Sequence, residues 1–429
     1  MRLLLATCLL ALLPAAPPAQ SDDWGDDWDG DAWAEDRGGL AWSGFAESAG
    51  GLRFDHDEAV GRRTSLADLR LRVETDWQAA GLSLAVKGDL LYDGYEHRPA
   101  ADFRELTVSG SPAGWLDFKA GRQVLTWGTG DLLFLNDLFP KDWVSFFAGR
   151  EDEYLKYPQN ALRLTSYNSL LNIDFVWTPV FTPDRYIRGR RFSFFSPAAG
   201  AIVAPDPPAG ARRPSRQLGN GEFSLRLFRT LRGVEYAVYA HHGYFKGPSD
   251  FRDPSRPAFA PLSSIGASLR RPLFGGLWNL ETAWYFSRDD RGGGNPALPN
   301  DQWRVLTGFE REWAKNFTVG LQYYLEWTQD HDQLLRNSPT PQYEPDEFRH
   351  LLTSRLTWRT LQDRLTWSLF AFVSPSDRDY YLRPAVSYRH SDHWTLAAGL
   401  NLFGGDAPHT FFAMFEDASN AYLRVRFNY

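Results

Sequence analysis

After residue 38, apolar and polar residues alternate one by one along most of the chain. Successive side chains of a β-strand face opposite sides, so this alternation marks strands with one apolar and one polar face. In the stretch Asp68 to Trp77, Leu69, Leu71, Val73 and Trp77 share one face. Asp68, Arg70, Arg72, Glu74 and Asp76 share the other. A soluble core does not accept five charges in a row on its inner face. A soluble sandwich could carry them outward in water, so the whole chain has to decide. Eighteen segments of this kind are predicted, near 40–47, 66–77, 81–92, 102–110, 114–122, 160–167, 170–180, 221–230, 234–244, 262–271, 276–286, 302–313, 315–328, 347–359, 362–373, 380–389, 392–403 and 420–429. Most are long enough to cross a bilayer as tilted strands, about twice the length usual in soluble sheets.

The connections alternate too. Short turns are predicted near 79–80, 111–113, 167–170, 231–233, 272–275, 314–315, 360–361 and 390–392. Longer loops fall near 48–65, 123–159, 181–220, 245–261, 287–301, 329–346 and 404–419. Short turns at one end and long loops at the other are the layout of an outer-membrane barrel, with the short end periplasmic. The expected fold class is therefore all-β: a transmembrane, antiparallel, up-and-down β-barrel of about eighteen strands over residues 39–429. Closing the sheet satisfies every backbone group in lipid and leaves no free edge. The predicted outer face includes Leu82, Leu84 and Val86, then Leu171, Ile173, Phe175 and Trp177, then Phe317, Val319, Leu321, Tyr323, Leu325 and Trp327. Trp77, Tyr92, Trp177, Trp284, Trp303, Trp327, Trp358 and Trp394 recur near strand ends, where aromatic girdles meet the two interfaces. The last strand places Leu423, Val425, Phe427 and Tyr429 on one face and Arg424, Arg426 and Asn428 on the other. Its aromatic final residue resembles the insertion signal of bacterial outer-membrane barrels, which implies the barrel-assembly machinery as a partner.

Composition narrows the class further. Mean hydropathy is −0.41, which excludes a bundle of membrane helices, while 15% of residues are aromatic. The net charge of −7 argues against a nucleic-acid binder, which would carry a basic stripe. Most of the acidity is local. Ser21 to Gly38 holds Asp22, Asp23, Asp26, Asp27, Asp29, Asp31, Glu35 and Asp36 against Arg37 alone. This segment reads as a solvated, disordered periplasmic leader, or as a docking tag anchored by Trp24, Trp28 and Trp33. A Ca²⁺ loop is not expected, because Gly38 stands where its bidentate glutamate belongs. Residues 1–20 have the short basic start, apolar run and small-residue end of a cleaved secretory signal peptide. If Cys8 leaves with it, no thiol remains.

The inward positions are polar and mixed in sign. Basic ones include Arg70, Arg72, Lys87, Lys119, Arg163, Arg226, Arg270, Arg304, Arg355, Arg383, Arg389, Arg424 and Arg426; acidic ones nearly balance them. One reading is a cross-strand salt-bridge lattice that stiffens the wall. The other is an arginine track for an anionic solute, since the guanidinium fork matches a carboxylate. The loop 123–159 is too apolar for water, with Leu132 to Leu135, Leu138, Phe139, Trp143, Phe146 and Phe147. It is predicted to fold into the lumen as a constriction, with a lid over neighbouring loops as the alternative. The loop 181–220 carries Arg185, Arg188, Arg190, Arg191, Arg212, Arg213 and Arg216, a patch suited to gathering anions or to lipopolysaccharide phosphates. His241 and His242 near Ser263 and Ser264 form the nearest approach to a Ser-His dyad, but strand-end histidines at an interface are more often structural. No enzyme activity, catalytic residue, metal ligand or cofactor is expected.

At the long loop the sequence becomes familiar. Gly121-Arg122-Gln123, Trp127-Gly128, Asp131, Asn136-Asp137, Pro140 and Asp142 resemble a signature of a porin-like outer-membrane barrel family of unknown function. The run Trp177-Thr178-Pro179-Val180-Phe181-Thr182-Pro183-Asp184-Arg185 is similar to its second signature, and Phe415-Glu416-Asp417, Asn420 and Tyr422-Leu423-Arg424 to its third. Members are often encoded near RND/MMPL-type exporters and are distantly similar to alginate-export porins. The resemblance implies a barrel in a transport setting, in contact with outer-membrane lipid and lipopolysaccharide, with a periplasmic or inner-membrane exporter as a candidate partner. The expected function is a channel for passage or export of a small anionic or amphipathic solute. The alternative is a largely closed barrel acting as a partner-dependent export component or receptor. The residues expected to line the path are Arg122, Trp127, Asp131, Asn136, Asp142 and Arg185, followed by the lumen arginines Arg70, Arg72, Arg226 and Arg355.

Overall fold

The computed structural model describes residues 41–429; the expected signal peptide and acidic leader lie outside the described residues. Eighteen strands form one closed antiparallel sheet. In chain order they begin with β1 (Ala41–Arg53), β2 (Thr64–Ala79), β3 (Leu82–Asp93), β4 (Arg98–Ala113), β5 (Leu116–Gln123), β6 (Gln159–Ser166) and β7 (Asn172–Thr178). After a loop hairpin of β8 (Phe194–Ser196) and β9 (Ala201–Val203), the wall resumes with β10 (Glu222–Leu231), β11 (Val234–Tyr244), β12 (Pro261–Leu273) and β13 (Gly276–Ser287). It ends with β14 (Gln302–Ala314), β15 (Phe317–Thr328), β16 (Phe348–Thr360), β17 (Leu365–Ser374), β18 (Asp379–Arg389), β19 (Trp394–Gly405) and β20 (Asn420–Asn428). Each wall strand pairs with its neighbour in sequence, and β20 closes on β1 from Phe45 opposite Asn428 to Arg53 opposite Asn420. Every ladder therefore has a partner, which lipid demands.

All eighteen predicted wall strands are present. β1 runs on to Arg53, past its predicted end near 47. The extension Ser48-Ala49-Gly50-Gly51 is made of small residues with too little polarity contrast to show a period. Two connections at the long-loop end, 94–97 and 375–378, are tight turns rather than loops.

The outer face is apolar. Leu69, Trp77, Leu82, Leu90, Ile265, Leu321, Trp358 and Leu423 are all exposed there. At the long-loop end Trp303, Trp327 and Phe348 pack in sequence across three strands, with ring centroids 5.9 and 5.4 Å apart, the second pair stacked. At the short-turn end Trp358 pairs across the ladder with Trp367. Tyr429 completes the seam. Its hydroxyl donates to the Arg72 carbonyl at 2.6 Å, spanning Gly44 of β1. A side chain at Gly44 would sit 2.1 Å from that same carbonyl, so glycine leaves the berth that the terminal ring fills.

Candidate functional site

The interior is built around the segment 124–158, which joins β5 to β6. It contains the helix α1 (Trp143–Phe147) and a 3₁₀ turn, Asp152–Leu155. Asp142 caps α1, accepting from the Ser145 amide and hydroxyl at 2.8 Å each. Lys141 pairs with Asp137 at 2.9 Å, both buried. The first half of the segment is tied to the wall by polar anchors. Glu281 of β13 accepts from the Thr129 amide at 2.6 Å and from the Asn136 amide and side chain at 2.9 Å. Tyr285 donates to the Leu135 carbonyl at 2.6 Å. Gln322 of β15 bonds both the Asp131 amide and its carbonyl. Arg355 of β16 grips the Asp131 carboxylate at 2.5 and 2.8 Å.

Between these anchors the segment buries its apolar side chains against one arc of the wall. Leu132, Leu135, Phe146, Phe147 and Leu155 share a cluster with Leu262, Tyr285, Leu306, Tyr324, Leu351, Phe370, Phe372, Tyr381 and Phe403 of β12–β19. Phe412 and Phe415 from the loop 406–419 join it. Phe147 is 1% exposed and meets Phe192, Tyr381, Phe403 and Phe415 at ring distances of 4.8 to 6.2 Å.

An acidic tip follows, facing β20 and β1–β4 and reaching back to β16 and β18. Glu151, Asp152 and Glu153 point three consecutive carboxylates at arginines from four strands, β2, β16, β18 and β20. Glu151 pairs with Arg424 at 3.1 Å and Arg426 at 2.6 Å; both arginines also approach Glu47 of β1. Asp152 pairs with Arg383 at 2.7 Å and stands 3.8 Å from Arg355. Glu153 pairs with Arg72 at 2.8 Å. Tyr154 lies under the Arg70 guanidinium at 3.8 Å, near Arg72 and Arg104, and accepts a bond from Arg72 at 2.7 Å. Burial disfavours the charge on Glu153, but Arg72 and Arg104 outweigh it and hold the carboxyl down at about 2. Asp152 is likewise held below the usual carboxylate range, since Arg383 and Arg355 overcome its burial.

The residues expected to line a path are therefore all engaged. Trp127 is buried against Phe139 and Tyr239, and its Nε1 donates to Asp174 at 3.2 Å. Asp131 and Asn136 are the anchors just described, and Asp142 is a helix cap. Arg122, Asp102 and Arg185 form a rim cluster: Asp102 meets Arg122 at 2.8 Å and Arg185 at 3.2 Å, and both arginines lie over the Tyr157 ring. Arg185 also reaches Asp142 at 3.1 Å. By register Arg122 pairs with the outward residue Leu106, so it leaves the wall on its outer side before reaching Asp102. Arg70 and Arg72 share Asp89, at 2.8 and 2.7 Å, while Arg226 pairs with Glu235 at 2.6 Å. Of the loop arginines, Arg185, Arg190 and Arg191 are ion-paired, Arg191 with Asp93 at 2.5 Å. Arg188, Arg213 and Arg216 have no carboxylate partner among the described residues, while Arg212 acts on the Asp250 carboxylate.

Sequence reasoning passed over the tip Glu151-Asp152-Glu153. Its signal was three acids in a row inside an otherwise apolar loop. It also missed Ser224. His241 Nδ1 meets the Ser224 hydroxyl at 2.9 Å rather than Ser264, and His242 meets Ser263 at 3.0 Å on the outer face. Glu222 stands 3.8 Å from His241, but Lys246 holds that carboxylate at 2.5 Å. The Ser224–His241 pair is buried in the wall. No cluster of three or more His, Cys, Asp or Glu among the described residues could hold a metal ion.

No family model and no curated protein matches the chain. Solved structures do. Acinetobacter baumannii OccAB3 aligns over 91% of this chain and 99% of its own, with a TM-score of 0.53 at 10% identity. Pseudomonas aeruginosa OccK5 (OpdH) aligns over 91% and 97%, with a TM-score of 0.53 at 9% identity. Pseudomonas aeruginosa OccK11 (OpdR) aligns over 91% and 95%, with a TM-score of 0.51 at 12% identity. At such identities the likeness is one of fold: a closed eighteen-stranded barrel of the outer-membrane porin kind.

Proposed function

We propose that this chain is a porin-like channel of the bacterial outer membrane in which the segment 124–158 forms the constriction. The observation that carries the reading is the reach of that segment. From a single connection it touches inward side chains of strands as far apart as β2, β7, β13, β16 and β20. An eighteen-stranded barrel is wide enough for water, so whatever spans its interior sets what passes. The constriction wall is lined by arginines, which suits a small anionic or amphipathic solute. Single-channel recording of the refolded chain in a salt gradient tests this. Steps with a reversal potential shifted toward anions are expected; a cation-shifted potential would overturn the solute class.

A second reading has its own support. The aromatic layer around Phe147 is packed like a protein core, which favours a barrel that stays closed until a partner, such as an exporter, moves the segment. Folded protein that gives no steps in a plain bilayer would favour this reading over a free-running pore.

A further inference from the structure

Charged residues on the wall strands face inward almost without exception. By register and parity, the outward positions of the eighteen strands carry no carboxylate and four arginines: Arg122, Arg229, Arg271 and Arg311. Arg122 folds back onto Asp102. The other three have no carboxylate partner among the described residues. Each gives an N–H to a backbone carbonyl: Arg229 to Leu170 at 2.7 Å, Arg311 to Phe274 at 3.1 Å and Arg271 to Pro272 at a long 3.5 Å. A guanidinium has five N–H donors, so most of each fork is unused.

The three share one arc and one height. Arg229 and Arg271 stand two residues before the ends of β10 and β12, and Arg311 stands three before the end of β14. The ladder agrees. Arg229 is opposite Tyr236, which is opposite Leu269, two residues short of Arg271. Arg271 is opposite Trp278, which is opposite Phe309, two residues short of Arg311. Strands about 4.8 Å apart and tilted by roughly 40° keep level positions shifting by about one residue per strand. The row therefore runs level at the short-turn end, where the periplasmic interface lies. Tyr236 and Trp278 stand between the arginines, and Arg311 lies 5.0 Å over the Trp313 ring. Arg232 and Lys315 in the adjoining turns add charge of the same sign, also without carboxylate partners among the described residues. Above the row, Leu227, Leu269 and Phe309 continue the apolar wall.

We propose that Arg229, Arg271 and Arg311 form a binding belt for anionic phospholipid headgroups of the periplasmic leaflet. At the interface an outward arginine is tolerated at little cost, and there its charge meets the headgroups. A phosphate answers it with geometry that the guanidinium fork matches in two parallel bonds. The aromatic residues sit at headgroup depth, and the apolar wall above takes the acyl chains. The inference is independent of whether the barrel conducts.

The test is native mass spectrometry of the refolded chain, offered equal amounts of phosphatidylglycerol and phosphatidylcholine. Wild-type protein is expected to retain phosphatidylglycerol preferentially. Each Arg→Gln substitution should lower that preference by about fivefold, the share of one arginine at a lipid surface. The R229K/R271K/R311K variant should keep most of it. Equal retention of both lipids by wild type, or unchanged preference in R229Q/R271Q/R311Q, would overturn the proposal; the latter would move the site to the loop arginines at the other end. Should the triple glutamine variant not refold, the three single variants carry the same decision, and no change in any of them overturns it.

Discussion

The segment 124–158 meets the two sides of the lumen through different chemistries. Toward β12–β19 it presents Phe146 and Phe147 to a dry aromatic layer. Toward β20 and β1–β4 it presents Glu151, Glu153 and Tyr154 to a row of arginines. Apolar packing scales with buried area and is indifferent to ionic strength, whereas partly exposed ion pairs are screened by salt and answer to anions. One side is therefore a fixed attachment, and the other is an attachment that salt and pH can loosen. The wall supplies most of that contrast, and Asp152 crosses it by pairing with Arg383 of β18 and approaching Arg355 of β16.

The largest effect is expected from the apolar side. Phe→Ala at a buried site costs about 3–5 kcal/mol, so F146A/F147A should free the segment while the barrel, held by its own ladders, stays folded. Limited proteolysis would show cleavage within 124–158, with unchanged mobility of the unheated barrel on gels. Resistance to cleavage would place the attachment elsewhere. Next comes Asp89→Asn, which leaves Arg70 and Arg72 short of their shared buried partner. Breaking a buried pair costs about 3–5 kcal/mol, so the thermal midpoint should fall clearly. A midpoint within a degree of wild type would show that Glu153 alone satisfies both arginines.

These contacts were unevenly legible in the sequence. Period-two alternation exposed the wall strands, because lipid outside and charge inside impose maximal contrast. It failed where contrast vanishes, as in Ser48 to Gly51 of β1. The apolar content of 124–158 showed that it needed cover, but which wall residues provide it is a matter of ring geometry between strands hundreds of residues apart. Trp127, Asn136 and Asp142 stood out through the family resemblance and were expected to line a path, whereas their contacts are those of a wall contact, an anchor and a cap. The acidic tip did not stand out, since a charge run reads as solvated until its partners are known.

Smaller effects sharpen the ionic side. Glu153 is held at about 2 against an ordinary value near 4.5. A carboxyl with a lowered folded value stabilises above its unfolded value and loses that contribution as pH falls through the folded one. Protease resistance of the segment should thus persist from neutral pH to about pH 4 and decline toward about pH 2. Loss already complete at pH 4 would contradict the pairing with Arg72. The smallest effect is expected at the rim, where Arg185 is 45% exposed: Arg185→Gln should change stability by no more than about 1 kcal/mol. A large destabilisation in chemical unfolding would make the rim cluster a structural clasp rather than a surface contact.

The central claim is that the acidic tip fills the arginine arc and narrows the lumen there. The direct measurement is single-channel conductance of wild type beside E151Q/D152N/E153Q, both refolded and matched for barrel integrity. The account predicts small or infrequent steps in wild type and larger, more anion-selective steps in the variant, whose arginines are freed of their internal counter-charges. Indistinguishable conductance and selectivity in the two proteins would contradict it.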